Sequence, residues 1–378
     1  MSLWADKYRP RNTQQLDFHP TITKRLKSLA TSGDFPHLLV YGPSGAGKKS
    51  RILATLKELY GSSVEKLKVD IKTFVTPSNR KLEFNVISSP YHIEITPSDM
   101  GNNDRIVIQD LLKEVAQVES IDFTNLVSHD ASHSHQPNKK KFKVVVINEA
   151  ESMTRDAQAA LRRTMEKYSA NIRLVLVCNS TSNIIDPIKS RTLSIRVPAP
   201  SISDFTVAFD KILSKEQDAR RIYPQSEADK LVVYKHIAEA SERNLRMGIM
   251  MLEALYMNSD KITTTTKMII PDWELVIDDI ASSIIKDRSV TRLSQTRTIL
   301  YELLAHSIPA KLILKRMTLQ LWKQTESIGS FKNLDAVKLD IVNAAALFDE
   351  RLSLGNKAIF HLEGFVTRVM VILEKDLS

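Results

Sequence analysis

The chain has 378 residues, 43% of them hydrophobic and 26% charged, which excludes a disordered class and is too long for one ordinary core, so two or three domains are expected. Lysine and arginine number 53 against 44 aspartates and glutamates, and the net charge of +9 suits a partner built of phosphates without requiring one. The single cysteine, Cys178, excludes an intramolecular disulfide framework. No apolar run is long enough to span a bilayer, and "MSLWADKYRP" carries charges where a signal peptide needs its apolar stretch.

In chain order, "HLLVYG" (37–42) reads as a short strand that runs into the glycine-rich segment "GPSGAGKKS" (42–50), and "RILATLKELYG" (51–61) follows with helical spacing. Strand, loop and helix are the context a phosphate-binding loop requires. In such a loop the backbone N–H groups cradle phosphates at a helix N-terminus and the lysine reaches the terminal ones. Gly42, Pro43, Ser44, Gly45, Ala46, Gly47, Lys48, Lys49 and Ser50 are therefore candidates for nucleotide binding. The pattern expects a hydroxyl directly after Lys48, and this chain has Lys49.

Further on, "YHIEITPSD" (91–99) reads as a strand and "DRIVIQDLLKEVAQV" (104–118) as an amphipathic helix. The segment 122–141, with His129, His133 and His135, reads as a solvated surface loop, since no cysteine or acidic set accompanies its histidines. "KFKVVVINEAESM" (141–153) contains a buried-type parallel strand ending in polar residues. Asn148 stands where a phosphate-loop protein carries its magnesium-binding aspartate, and Glu149 follows it. An ammonium at 49 repels a metal ion, and the amide of Asn148 is a poor ligand for a hard cation. Ser50 lies one residue late, rotated by roughly 100° on a helix, and points away from the metal position.

The next helix, "RDAQAALRRTMEKYS", has Thr154 as its N-cap, and "IRLVLVCNS" (172–180) and "TLSIRVPAP" (192–200) are further strands. Alternating strands and helices imply an α/β module whose parallel sheet is covered on both faces. The prolines of "VPAPS" mark its exit near residue 200. Strand signals then almost vanish; a joint at "TTTTK" and "IIPDW" separates two helical regions.

The segments "LWADKYRP", "GPSGAGKK", "NEAESMTRDAQAALRRTMEKYS", "NSTSNIIDPIKSR" and "ERNLRM" resemble, in order and spacing, the small subunits of replication factor C, the eukaryotic clamp loader of the AAA+ superfamily. The GKK loop and NE pair, with "PSDMGNNDRIVIQ" and "LGNKAIFHLEGF", are similar to the catalytically degenerate member of that five-subunit arc. The resemblance implies an AAA+ nucleotide-binding domain over 1–199, a helical lid over 200–265, and an all-helical collar over 266–378 that carries oligomerisation. It implies that Trp4–Pro10 packs around adenine, with Ala5, Arg9 and Asp17 near the base, though Trp4 and Tyr8 also suit plain core packing. Asn179 would be the first sensor, Arg246 the second sensor on the lid, and Arg191 an arginine finger for a neighbouring subunit, with Thr192 where the family has cysteine. Arg105, Lys113 and Arg155 are candidates for DNA backbone phosphates, which position without reading sequence.

On this resemblance the chain is a non-hydrolysing structural and regulatory subunit, nuclear, that holds ATP or ADP with magnesium weak or absent. Its partners would be the large and three other small subunits, the ring-shaped clamp PCNA and primer–template DNA, with no membrane. Lys49 is expected beside Lys48, near the β-phosphate, in place of the metal's charge. The alternatives are an autonomous ATPase, such as a helicase loader, and a DNA-binding adaptor with a vestigial site.

Overall fold

The computed structural model describes the whole chain except Met1, Ser378, Gln225, Asn356 and residues 33–34, 76–80, 118–141 and 329–332. The histidine-bearing segment 122–141 therefore lies outside the described residues. The chain divides into two compact units, Met1–Met268 and Ile269–Ser378.

The first unit opens with a single helical turn, α1 (Trp4–Lys7), and α2 (Pro20–Thr31). There follow β1 (Leu38–Tyr41), α3 (Lys48–Tyr60), β2 (Lys68–Val75), β3 (Lys81–Ser88), β4 (His92–Ile95) and α4 (Asp104–Gln117). The α/β alternation ends with β5 (Lys143–Ile147), α5 (Arg155–Lys167), β6 (Ile172–Cys178), α6 (Asp186–Lys189) and β7 (Leu193–Arg196). The seven strands form one sheet in the order β2-β3-β4-β5-β6-β1-β7. From β4 to β7 every pairing is parallel, as the βα alternation requires. The two remaining strands are an antiparallel hairpin added at one edge, so the sheet is mixed and not wholly parallel.

Burial explains the strand sequences. Along β5, Val145 and Ile147 pack into the core shared with α4 and α5, while Val144 and Val146 pack with α2 and α3 on the other face. A strand covered on both sides needs apolar residues without alternation. Thr154 caps α5 as its sequence indicates, its hydroxyl accepting from Ala157 N at 3.2 Å. The same cap is tied to α4: buried Asp104 accepts from Thr154 N at 2.7 Å, Thr154 Oγ1 at 2.9 Å and Arg105 N at 2.7 Å. A buried carboxylate that meets three donors holds the starts of the two helices together.

Four helices complete the unit: α7 (Ile202–Leu213), α8 (Gln217–Ile222), α9 (Glu227–Ala240) and α10 (Leu245–Asn258). α7 begins with a reciprocal capping box between Ser201 and Asp204. Phe205, Phe209 and Tyr234 form a chain of edge-on rings in its core, each ring contributing roughly 1.5–3 kcal/mol through burial. These helices and the N-terminal turn are joined directly: the Trp4 ring stacks on Tyr256 at 5.4 Å, and the Trp4 backbone N–H donates to Glu253 Oε2 at 2.9 Å.

The second unit consists of α11 (Asp272–Lys286), α12 (Val290–Ala305), α13 (Ala310–Ile328), α14 (Leu334–Leu354) and α15 (Ala358–Leu377). Its core is drawn from all five, including Ile277, Leu300, Ile313, Val337 and Phe365. Leu339, Phe360, Leu354 and Val290 stay 61–82% exposed on its surface. Among the described residues, no helix is long and apolar enough to cross a membrane.

Candidate nucleotide site

The C-terminal ends of β1, β5 and β6 open onto one side of the sheet, where the segment from Gly42 to Ser50 sits between β1 and α3. Gly45 and Gly47 have φ of +71° and +80°, a region in which only glycine is unstrained. A Cβ on Gly45 would lie 1.7 Å from Asn244 Oδ1, so the loop presses directly against the cap of α10. α3 starts at Gly47 with no side chain capping it. Its first N–H groups are thus free to receive an anion, aided by the positive end of the helix dipole.

Two adjoining cavities, of about 200 and 540 Å³, share Ala5, Asp6, Arg9, Ser44, Lys48, Lys49, Val177 and Arg246 in their walls. Tyr8, Phe18, Leu245 and Ile249 give the first an apolar and aromatic side; Asn148, Glu149, Glu151 and Asn179 give the second a polar one. An aromatic slot beside a cationic loop is the shape a base and its phosphates require. The charges agree. Burial lowers the Arg9 pKa, and the nearby Arg246 charge lowers it further. Lys48 is lowered chiefly by burial, which the neighbouring Glu151 charge partly offsets. Arg9 also keeps a buried Nη2 without a hydrogen-bond partner. An anion bound among these cations would relieve both the repulsion and the unmet donor, so the residues fit a nucleotide phosphate.

Each residue singled out in the sequence can now be placed. Lys48 Nζ donates to Gly42 O at 2.6 Å, Pro43 O at 2.9 Å and Asn179 Oδ1 at 2.9 Å. This brings Asn179 to the loop lysine. Ser50 Oγ accepts from Arg9 Nε at 3.0 Å, so the late hydroxyl is committed to the N-terminal segment. Asp17 does not face the base freely: Lys211 holds its carboxylate at 2.8 and 3.0 Å. Trp4 is 5% exposed and belongs to the core, while Tyr8 lines the cavity. Arg246 is exposed on the first turn of α10 and lines both cavities. Glu149, at φ +49°, accepts from Ser98 Oγ at 3.0 Å.

Lys49 departs from its expected place beside Lys48. Its ammonium lies 2.5 Å from Glu94 Oε2 on β4. Burial pushes the Glu94 carboxyl up, but the neighbouring His92 ring and Lys49 ammonium outweigh it and hold the group below its ordinary value. Sequence reasoning missed Glu94, although an acidic residue inside the buried strand "HIEI" was a signal. It also missed Glu151, whose Oε1 accepts from Asn179 N at 3.0 Å and whose Oε2 is buried and unpartnered. Cys178 is buried beside it, its thiol pushed up to about 11 by burial and the Glu151 charge, and is inert as a nucleophile.

For a divalent cation the donors are unfavourable. The hydroxyl is replaced, Asn148 is neutral, and Glu149 is turned to Ser98. The two positions that hold magnesium in a phosphate-loop site thus carry neither its hydroxyl nor its aspartate.

The comparisons with known proteins decide the family. Residues 273–377 match the family model of the replication factor C subunit 3 C-terminal domain, and residues 18–201 match that of the DNA polymerase III delta subunit. The chain is 50% identical over 376 residues to replication factor C subunit 5 of Saccharomyces cerevisiae, covering 99% of this chain and 100% of the relative. It belongs to the replication factor C subunit 5/3 family. Replication factor C subunit 3 of Homo sapiens is 44% identical over 378 residues, covering 100% of this chain and 98% of the relative. The Neurospora crassa subunit 5 is 50% identical over 377 residues, covering 100% and 99%. The mixed sheet with flanking helices is thus followed by an all-helical C-terminal unit, and the replication factor C C-terminal match falls within that unit.

The contact between Gly45 and Asn244 makes the loop a joint between the sheet and α10. Gly45→Ala must either break the positive φ or displace the α10 cap. Calorimetric titration with ADP should then show affinity reduced by about tenfold or more, an effect of about 1.4 kcal/mol. Unchanged affinity would mean that loop and α10 do not share a ligand.

Proposed function

We propose that this chain is the non-hydrolysing structural and regulatory subunit of the replication factor C clamp loader, which uses ATP to place the ring-shaped clamp PCNA on primer–template DNA in the nucleus. The observation that carries the reading is the pairing of Lys49 with Glu94, together with Asn148. These leave a nucleotide cradle but no ligand set for the metal that phosphoryl transfer uses. ATP or ADP is held by the loop N–H groups, Lys48, Arg9 and Arg246, with magnesium weak or absent. Family membership along the full chain, the helical C-terminal unit included, favours this reading over an autonomous ATPase or a DNA-binding adaptor.

Arg191 is the group offered to a neighbour. It stands on the turn after α6, where Nε and Nη2 reach Glu166 Oε1 at 2.8 and 2.7 Å and Nη1 donates to Pro187 O at 2.9 Å. Thr192, in the place of the family's cysteine, closes the turn through Ile188 O at 2.9 Å. The Arg191 side chain is 38% exposed and Glu166 54%, and such a surface pair contributes only about 0–1 kcal/mol. A guanidinium held so weakly exchanges its carboxylate for a triphosphate in trans at little cost. Arg191→Ala should leave nucleotide affinity in this chain unchanged and reduce ATP turnover by the assembled complex. Complex turnover and clamp loading at unaltered rates would reject the trans role.

Arg105 and Arg155 are exposed at the starts of α4 and α5, which Asp104 holds side by side. Lys113 is exposed eight residues along α4, roughly 12 Å further on. Two adjacent helix N-termini with exposed cations suit a run of backbone phosphates. Arg105→Ala and Arg155→Ala should each weaken DNA binding by the complex, leave sequence preference alone, and make the salt dependence shallower by about one unit of slope. A slope unaltered in both variants would mark them as ordinary surface charges.

The division into an AAA+ domain (1–199), a lid (200–265) and a collar (266–378) belongs to the same reading, with the collar's exposed apolar residues covered by the other subunits. A chain ending at residue 268 should fold, bind nucleotide and fail to join the complex in co-purification. Its normal incorporation would remove oligomerisation from the collar.

A further inference from the structure

Glu94 is a carboxylate in an expensive place. Its side chain is 2% exposed on β4, and that of Lys49, whose ammonium meets it, is 34% exposed. The other carboxylate oxygen faces His92 Nε2 at 3.7 Å, and His92 is turned through Nδ1 to Ser89 Oγ at 2.6 Å. Lys49 is thus the permanent cation within ion-pair distance of Glu94 among the described residues. Its partner strand matters as well. Ile95 of β4 lies opposite Ile147 of β5, and Asn148 N donates to Ile95 O at 2.9 Å. The pair therefore runs from the first turn of α3, where the phosphate-receiving N–H groups are, to the strand beside the one that ends in Asn148.

We propose that Glu94 is a positioning residue of the nucleotide site: its bridge to Lys49 anchors the first turn of α3 to β4. The proposal rests on reading the cavity as a nucleotide site. Its physical basis is the asymmetry of burial. A lysine released from the bridge still reaches water, whereas a released Glu94 carboxylate stays buried with only the more distant Arg9 charge to offset it, which is destabilising. Lys49 and Glu94 must consequently behave as a unit, and restoring the hydroxyl at position 49 alone damages the site instead of repairing it.

A double-mutant cycle on the full-length chain tests this, with Lys49→Thr, Glu94→Gln and the combined variant. Two quantities are read: the thermal midpoint without nucleotide, and ADP affinity in EDTA. Lys49→Thr should lower the midpoint by roughly 5 °C or more, and by more than Glu94→Gln does. The combined variant should regain most of that loss. Lys49→Thr should weaken ADP about tenfold, and adding Glu94→Gln should restore affinity to within about threefold. Additive midpoints would overturn the bridge, as would a Lys49→Thr chain that tolerates the change better than Glu94→Gln. Coupled midpoints with additive ADP affinities would overturn the positioning role. If Lys49→Thr does not fold, the combined variant must, and its failure also rejects the bridge. An unsubstituted chain that binds no ADP would defeat the nucleotide reading itself, separately from the cycle.

Discussion

The site depends on where β1 lies. It pairs with β6 on one side and β7 on the other, with Tyr41 opposite both Cys178 and Arg196. A parallel crossover can return to the sheet with one hand only, and ligands gather where successive strands lead away in opposite directions. Because β1 is inserted between strands that come much later in the chain, its loop meets groups from three distant segments. Asn179 arrives from the end of β6, Asn148 to Glu151 from the end of β5, and the α10 cap from beyond β7. Lys48 records this convergence by bonding at once to its own loop and to Asn179.

This convergence was partly legible in the sequence. The glycine loop was visible because its strand and helix flank it, and β5 and β6 because unbroken apolar runs are what a doubly covered strand needs. The hairpin of β2 and β3 went unread. "KVDIKTFV" does alternate, but Val69 and Ile71 are 68% and 67% exposed, so its alternation reports no core. Glu94 was unreadable for another reason. Its partner lies 45 positions earlier, and nothing local states that an ammonium from α3 reaches a buried carboxylate on β4. Asp17 and Ser50 show the same limit: Ser50 lines the candidate cavity and Asp17 does not, and Arg9 and Lys211 decide where their polar atoms point.

The altered loop is rewired and not merely eroded. Three successive side chains of the loop have separate destinations here. Lys48 holds the loop carbonyls and Asn179, Lys49 serves Glu94, and Ser50 serves Arg9. Replacing both members of such a pair by neutral groups is often near neutral, yet removing one costs about 3–5 kcal/mol. That inequality fixes the order in which such a site can change: once Lys49 neutralises Glu94, a step back to a hydroxyl passes through an uncompensated buried charge.

The same inequality bears on what the site can do. A metal ion and a hydrolysed phosphate leave during a turnover, so a site held together by them loosens once per cycle. A lysine and a glutamate belong to the chain and stay. On the inference drawn above, the first turn of α3 keeps this anchor whichever nucleotide it holds, and Gly45 packs the loop against the α10 cap. Arg191, by contrast, sits on the surface in a pair that contributes little and exchanges easily. In the reading proposed above, the fixed pair lies at the chain's own site and the exchangeable one faces the neighbour's. A subunit built this way adds to a clamp loader's chemistry only through the arginine it presents, and it presents that arginine from a frame that does not move with its own nucleotide.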